Sequence, residues 1–486
     1  MNFKLILHII AYILVIEATL MLPGTLISLA LDETEALHGF VLTIGLVLAL
    51  AALLFVLTLK VKRERFFARD GLLTTGLTWI IMSALGALPF YFSGEIPSYV
   101  DAMFETVSGF TTTGSSILPS VEAMSKGLLF WRSFTHWVGG MGVLVFLMAI
   151  VQLGGKNKGF TLHILRAESP GPAVGKMVPR MKQTAAILYW IYVGLTVVNI
   201  IFLLIGGMPL FDSLCTAFGT AGTGGFGVKN DSMAGYSPYL QNVTTFFMLA
   251  FSVNFSIYYM IILKKFKEAY RDEEFRLFLL MVVIATGLLA WNVRSFYGSM
   301  EETIRHAAFT VGTVMSTTGF ATTDFDLWPS FSKAIILFLM ICGACAGSTG
   351  GGMKQVRFLL LWRILRRNIH KSLHPSEVTS VRVNGRVIDE QILVNTQAYL
   401  IAYMIIVLGS FLVVSLDGFS LETNISAVLA TFNNIGPGLA AVGPTCNFAA
   451  YSNISKIVMI LDMLAGRLEI FPILILFSKN TWKKAR

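Results

Sequence analysis

Four short runs rich in glycine and hydroxyl side chains punctuate an otherwise apolar chain, at intervals of about a hundred residues. They are Ser108-Gly109-Phe110-Thr111-Thr112-Thr113-Gly114-Ser115-Ser116, Thr220-Ala221-Gly222-Thr223-Gly224-Gly225-Phe226, Met315-Ser316-Thr317-Thr318-Gly319-Phe320 and Asn433-Asn434-Ile435-Gly436-Pro437-Gly438. Glycine takes left-handed or extended backbone angles without a Cβ clash, so such runs can turn carbonyl oxygens toward a common axis. A ring of carbonyls replaces the hydration shell of a cation, and the flanking hydroxyls can brace the turn by local hydrogen bonds. Few carboxylates lie in the runs, which favours a large, weakly hydrated monovalent cation over calcium. Taken singly, each run also suits small-residue packing between membrane helices. Four copies, each between a short segment and a full-length apolar one, favour an ion pore.

The elements that would position these runs follow from composition. The chain has 486 residues, 55% hydrophobic and 13% charged, with a mean hydropathy of +0.71. Several windows of about 20 apolar residues mark a polytopic membrane protein. The net charge of +9 is concentrated in alternate loops, which speaks for membrane orientation and against nucleic acid. Cys215, Cys342, Cys345 and Cys446 all fall in segments read as membrane-embedded or re-entrant. The Cys342/Cys345 pair has no second pair or histidine cluster near it, so neither zinc nor redox chemistry is expected. The N-terminus lacks a small-residue cleavage site and continues as a full span, so no signal peptide is read there.

Two spans, 3–30 and 38–59, come first, joined by the acidic turn Asp32-Glu33-Thr34-Glu35. The basic loop after them (Lys60, Lys62, Arg63, Arg65, Arg69) puts the N-terminus inside. Four repeats follow, each an outer span, a short segment, a glycine run and an inner span. The outer spans are read at 71–93, 184–206, 277–297 and 395–416. The short segments are read at 97–108, 209–219, 301–314 and 420–432, too short to cross a bilayer and therefore re-entrant. The inner spans are read at 127–153, 240–263, 333–362 and 455–477, the third broken in its middle. The basic stretches from Lys156 to Lys182, from Lys264 to Arg276 and from Lys354 to Lys371, with the tail from Lys479 to Arg486, keep the alternation. The expected architecture is all-α, with ten spans and four re-entrant segments. Its boundaries are 1–69 for the two N-terminal helices, then 70–155, 156–265, 266–370 and 371–486 for the repeats. Val383-Asn384-Gly385-Arg386 reads as a hairpin turn.

The chain resembles the Trk/Ktr/HKT superfamily of potassium transporters, most closely its bacterial TrkH/TrkG branch. The four runs carry the likeness, with Gly347-Ser348-Thr349-Gly350-Gly351-Gly352-Met353-Lys354 and Gly466-Arg467-Leu468-Glu469. The resemblance covers essentially the whole chain. It implies a potassium filter of backbone carbonyls, with one glycine from each repeat: Gly114, Gly224, Gly319 and Gly436, with Thr113, Thr223, Thr318 and Ile435 before them. In the second run, Gly222 and Gly225 leave the register open by one or two residues.

Glycines from Gly343 to Gly352 cannot sustain a helix interior, since each costs about 1 kcal/mol relative to alanine. The segment is either a tight crossing or, as the resemblance implies, a gate below the filter formed by Gly347, Ser348, Thr349, Gly350, Gly351, Gly352 and Lys354. Arg467, inside the fourth inner span, either pairs with Glu469 or Asp462 or faces the pore, as the resemblance implies. The implied activity is potassium uptake across a bacterial cytoplasmic membrane, with proton- or sodium-coupled symport as the alternative. A polytopic membrane enzyme is a remote alternative, because His136, His163, His306, His370 and His374 are scattered without catalytic or metal spacing. The implied partners are a second copy of the chain and a cytosolic, TrkA-like RCK subunit holding NAD or ATP. No organic cofactor is expected on this chain. The basic cluster Arg363, Arg366, Arg367 and Lys371 suits such a partner or anionic lipid headgroups.

Overall fold

Nearly every residue of the computed structural model is helical where the sequence is apolar. It describes residues 3–59, 68–153, 181–377 and 379–481, with backbone alone at 68, 141–153, 181–186 and 480. The basic residues Lys60, Lys62, Arg63 and Arg65, those from Lys156 to Arg180, and the tail from 482 onward lie outside this description. Helices Phe3–Ala30 and Thr34–Leu57 form the N-terminal pair, turning at Asp32, whose φ is 56°. The outer helices run Ala68–Gly86 with Leu88–Phe92, Met181–Ile205, Glu273–Val293 and Glu390–Val414. Their exposed leucines, isoleucines and valines are what a lipid-facing surface requires.

Each repeat then places a short helix against the bundle interior: Tyr99–Phe110, Leu210–Gly222, Met300–Ser316 and Leu421–Phe432. Their starts are set by local chemistry. Ser98, Ser299 and Ser420 accept from the backbone N–H three residues on, and Pro209 stands in the same place on the second. All four carry an acid in the first turn (Asp101, Asp212, Glu301 with Glu302, and Glu422), which suits the positive end of the helix dipole.

The inner segments depart from the expectation that only the third of them is broken. Six helices of the described residues are long and apolar enough to cross a membrane, or seven if one bent pair is joined. The first inner helix, Lys126–Leu153, is continuous, but the second splits into Pro238–Phe251 and Phe255–Ile262, bent by 92°. Asn254 caps the second piece by accepting from Ser256 N–H, so a side chain replaces the backbone ladder at the bend. The third is broken between Ser330–Cys342 and Gln355–Leu373, as its glycines lead one to expect. The fourth breaks after Asn453–Arg467, where Glu469 and Ile470 take φ of 57° and 70° before Pro472 opens Phe471–Phe477. Cys446, expected in a membrane segment, is exposed in the loop after the fourth run.

At the hairpin, Arg382 pairs with Val387 and Val383 with Arg386. Asn384 and Gly385 at φ of 51° and 75° make the tight two-residue turn.

Candidate functional site

The four short helices end in the same way. The N–H of Thr113 bonds to the carbonyl of Ser108 at 2.8 Å, Gly224 to Gly219 at 2.8 Å, Thr318 to Thr313 at 2.8 Å and Ile435 to Ala430 at 2.9 Å. The residue before each donor is left-handed: Thr112, Thr223, Thr317 and Asn434, at φ of 54° to 59°. This is the six-to-one closure of a helix C-terminus, made here with threonine or asparagine where glycine is usual. The next glycine also has positive φ: Gly114 at 84°, Gly225 at 76°, Gly319 at 91° and Gly436 at 104°.

These glycines close a ring. A Cβ on Gly114 would overlap the carbonyl oxygen of Gly224, one on Gly225 that of Thr318, and one on Gly319 that of Ile435. A Cβ on Gly436 would lie 3.0 Å from the carbonyl oxygen of Thr113, which returns to the first run. Each run therefore abuts the next in chain order, and no side chain fits between them. The equivalent residues are Thr113-Gly114, Gly224-Gly225, Thr318-Gly319 and Ile435-Gly436. The second run is shifted by one residue from Thr223-Gly224, because Thr223 takes the left-handed place held by Thr112, Thr317 and Asn434.

Polar side chains brace the ring from behind. Thr111 and Thr113 hydroxyls meet at 2.8 Å, and Ser316 and Thr318 hydroxyls at 2.6 Å. Ser115 donates to Gly436 O at 2.8 Å, and Asn434 donates to Thr113 Oγ1 at 2.9 Å. The short helices direct their partly negative C-termini at this place, which favours a cation there.

The glycine-rich loop lies directly against two of the runs. Gly351 N–H donates to Thr317 Oγ1 at 2.6 Å, and Gly352 N–H to Asn433 O at 3.0 Å. Arg467 donates to Thr349 O at 2.6 Å and to Gly139 O at 2.9 Å, tying the loop to the first inner helix. Lys354 reaches back to Gly350 O, and Ser348 to Cys345 O. Gly347 O accepts from Phe255 N–H at 3.0 Å, at the bend of the second inner segment. Glu469 pairs with Arg357, and Asp462 accepts from Ser410.

The comparisons with known proteins agree along the full chain. The family model TrkH, described as cation transport protein, matches residues 38–484. The chain belongs to the TrkH family. It is 35% identical over 495 residues to the Trk system potassium uptake protein TrkH of Salmonella typhimurium, covering 100% of both chains. It is 30% identical to the Trk system potassium uptake protein TrkG of Escherichia coli, covering 99% of each. Among solved structures, the potassium transporter TrkH from Vibrio parahaemolyticus superposes with a TM-score of 0.88 at 31% identity, covering 99% of this chain and 100% of that one. The TrkH-family chain is accordingly a nearly all-helical, multi-pass membrane protein.

Three side chains at the ring of this TrkH-family chain escaped the sequence reading. Glu105 accepts from Arg132 Nε at 2.6 Å, from Ser116 Oγ at 2.9 Å and from Ile117 N–H at 2.9 Å, locking the chain beyond the first run. Arg132 also donates to Gly227 O at 3.1 Å and covers the Phe226 ring at 3.5 Å, which fixes the second run. His136 contacts Gly109 O through Nδ1 at 2.7 Å, with its ring 4.1 Å from that of Phe226. In sequence, Arg132 and His136 share a face of one helix, four residues apart, but their partners lie in other elements.

Proposed function

We propose that this protein carries potassium into the cell across the cytoplasmic membrane, through a gated pathway whose coordination site is the ring of four runs. The carrying observation is the closed ring itself: four equivalent glycines at positive φ, each abutting a carbonyl oxygen of the next run. Carbonyls of Thr113, Gly224, Thr318 and Ile435 supply oxygen ligands without net charge, which suits a monovalent cation. In this reading Gly225, and not Gly224, is the second filter glycine.

The gate is the loop from Gly347 to Lys354 with Arg467. Its support is that Arg467 puts a positive charge on a loop bonded to the runs themselves. The repeats at 70–155, 156–265, 266–370 and 371–486 are the units around the pathway, with both termini cytoplasmic, as the loop charges favour. The regulatory partner is a cytosolic, TrkA-like nucleotide-binding subunit of RCK type, acting on a homodimer of this chain. Arg363 and Arg367 are engaged by Glu273 and Glu390, so the exposed Arg366 and Lys371 are the basic residues available to it. Purified protein in liposomes should pass potassium well above sodium, and addition of such a subunit should make the flux nucleotide-dependent. Equal potassium and sodium fluxes would overturn the assignment of the ring.

A further inference from the structure

The loop that crosses the pathway is anchored at both flanks by one carboxylate. Glu274, in the first turn of Glu273–Val293 and 7% exposed, accepts at Oε1 from Ala346 N–H at 2.6 Å and from Val356 N–H at 3.1 Å. Those two amides bracket the segment Gly347 to Gln355, so releasing Oε1 loosens both flanks of the loop together, leaving the bonds of Cys345 N–H to Ser252 O and of Gln355 N–H to Ala344 O. Glu274 and Val356 are buried, so the two bonds to one carboxylate oxygen form a latch with a defined closed position.

The two residues before Glu274 reach the cytoplasmic hairpin and the basic helix. Asp272 Oδ2 accepts from Asn384 Nδ2 at 2.7 Å, and Glu273 N–H donates to Asn384 Oδ1 at 2.9 Å. Asn384 is the first of the two left-handed residues of the hairpin turn. Glu273 also pairs with Arg363 at 2.6 Å. On its other face the hairpin is buried through Val381, Val383 and Ile388 against Val356, Leu360 and Ile364, with Ala346 packed on the same cluster. Polar and apolar contacts therefore join the hairpin to the same two loop flanks that Glu274 holds.

We propose that Glu274 is a positioning residue that latches the loop across the pathway, and that the hairpin at Arg382–Val387 is the lever by which a force at the cytoplasmic face releases it. The inference rests on the loop being the gate. The latch costs no change in the ring, so releasing it alters how often the pathway opens and not which ion passes.

The test is flux in liposomes for Glu274→Ala, Glu274→Gln, Asn384→Ala and the Glu274→Ala/Asn384→Ala pair, with Arg467→Ala as the control for the gate itself. Loss of two bonds to a charged acceptor should raise basal potassium flux by about tenfold or more in Glu274→Ala. The rise should be smaller in Glu274→Gln, whose amide oxygen still accepts, and the reversal potential should stay unchanged in both. Asn384→Ala should raise flux about two- to tenfold alone, and add nothing in the Glu274→Ala background. A rise in Arg467→Ala without one in Glu274→Ala keeps the gate and overturns the latch. No rise in either variant removes the gate reading and the latch with it. Should Glu274→Ala fail to fold, amide hydrogen exchange at Ala346 and Val356 in Glu274→Gln decides: faster exchange than wild type supports the latch, and unchanged protection overturns it.

Discussion

Alanine at each of two adjacent glycines in the second run separates the carbonyl ring from the packing behind it. Gly225 has a φ of 76°, where an L-residue costs about 1–2 kcal/mol, and its added Cβ would overlap the Thr318 carbonyl oxygen. The backbone carbonyl carbons of Thr318 and Gly319 would lie 2.9 and 3.0 Å away, so the third run must move. Gly224 instead faces the His136 ring, and its Cβ would overlap that ring. Gly225→Ala should therefore lower potassium-over-sodium preference, while Gly224→Ala should mainly lower stability. Truncating the histidine in Gly224→Ala/His136→Ala makes room for the methyl group and gives up the contact to Gly109 O, worth about 1 kcal/mol. The double variant should thus be more stable than the two single changes predict by addition, with a coupling of about 0.5–3 kcal/mol. Thermal melting in detergent reads the stability, and reversal potential under opposed potassium and sodium gradients reads the selectivity. If Gly224→Ala shifts the reversal potential and Gly225→Ala leaves it untouched, the assignment of equivalent positions is wrong.

Other consequences follow from the same contacts. Arg467→Ala removes the donors to Thr349 O and Gly139 O, and flux should rise by about tenfold or more at constant selectivity; reduced flux at normal expression would make the loop a packing element. Glu105→Gln strips the counter-charge from Arg132, which is 3% exposed, and should cost about 3–5 kcal/mol; an unchanged melting temperature would contradict this. In the outer loop, burial pulls the Asp326 carboxyl upward, but the Lys333 ammonium and the Ala440 N–H outweigh it and hold the group below the ordinary carboxylate range. A depressed folded value means its stabilisation is complete above about pH 4 and is lost as pH falls through the lower folded value. Asp326→Asn should remove that share of acid sensitivity, measured by melting between about pH 5 and pH 2; an identical pH profile would count against it.

Much of this was legible because the signals are local. The short helices announced themselves by length and by a glycine run at the end, and their observed bounds differ from the sequence reading by a few residues. The outer helices are long apolar stretches and formed where expected, the first with a break at Ala87 before Pro89. The breaks at Ser252–Asn254 and Glu469–Ile470 were not legible, because neither carries the glycine cluster that marks the third inner segment. The bends there are imposed by tertiary contacts, as when Phe255 N–H and Ser252 O bond across to the loop. Register in the second run stayed open in the sequence for a related reason. Three of its residues are glycine, and only the left-handed angle at Thr223 tells which one occupies the place of Gly114. Glu105, Arg132, His136 and Glu274 were invisible as a set, since each is a lone polar residue whose partners lie in other elements.

Whether the four equivalent glycines form a potassium-selective ring is read from the reversal potential of the reconstituted protein. With potassium on one side of the membrane and sodium on the other, the wild type should reverse near the potassium equilibrium potential. Gly319→Ser, whose added side chain meets the Ile435 carbonyl oxygen, should move that potential toward zero while flux persists. A wild type that reverses at zero, or a Gly319→Ser variant whose reversal potential matches the wild type's, would show that these glycines do not select the ion.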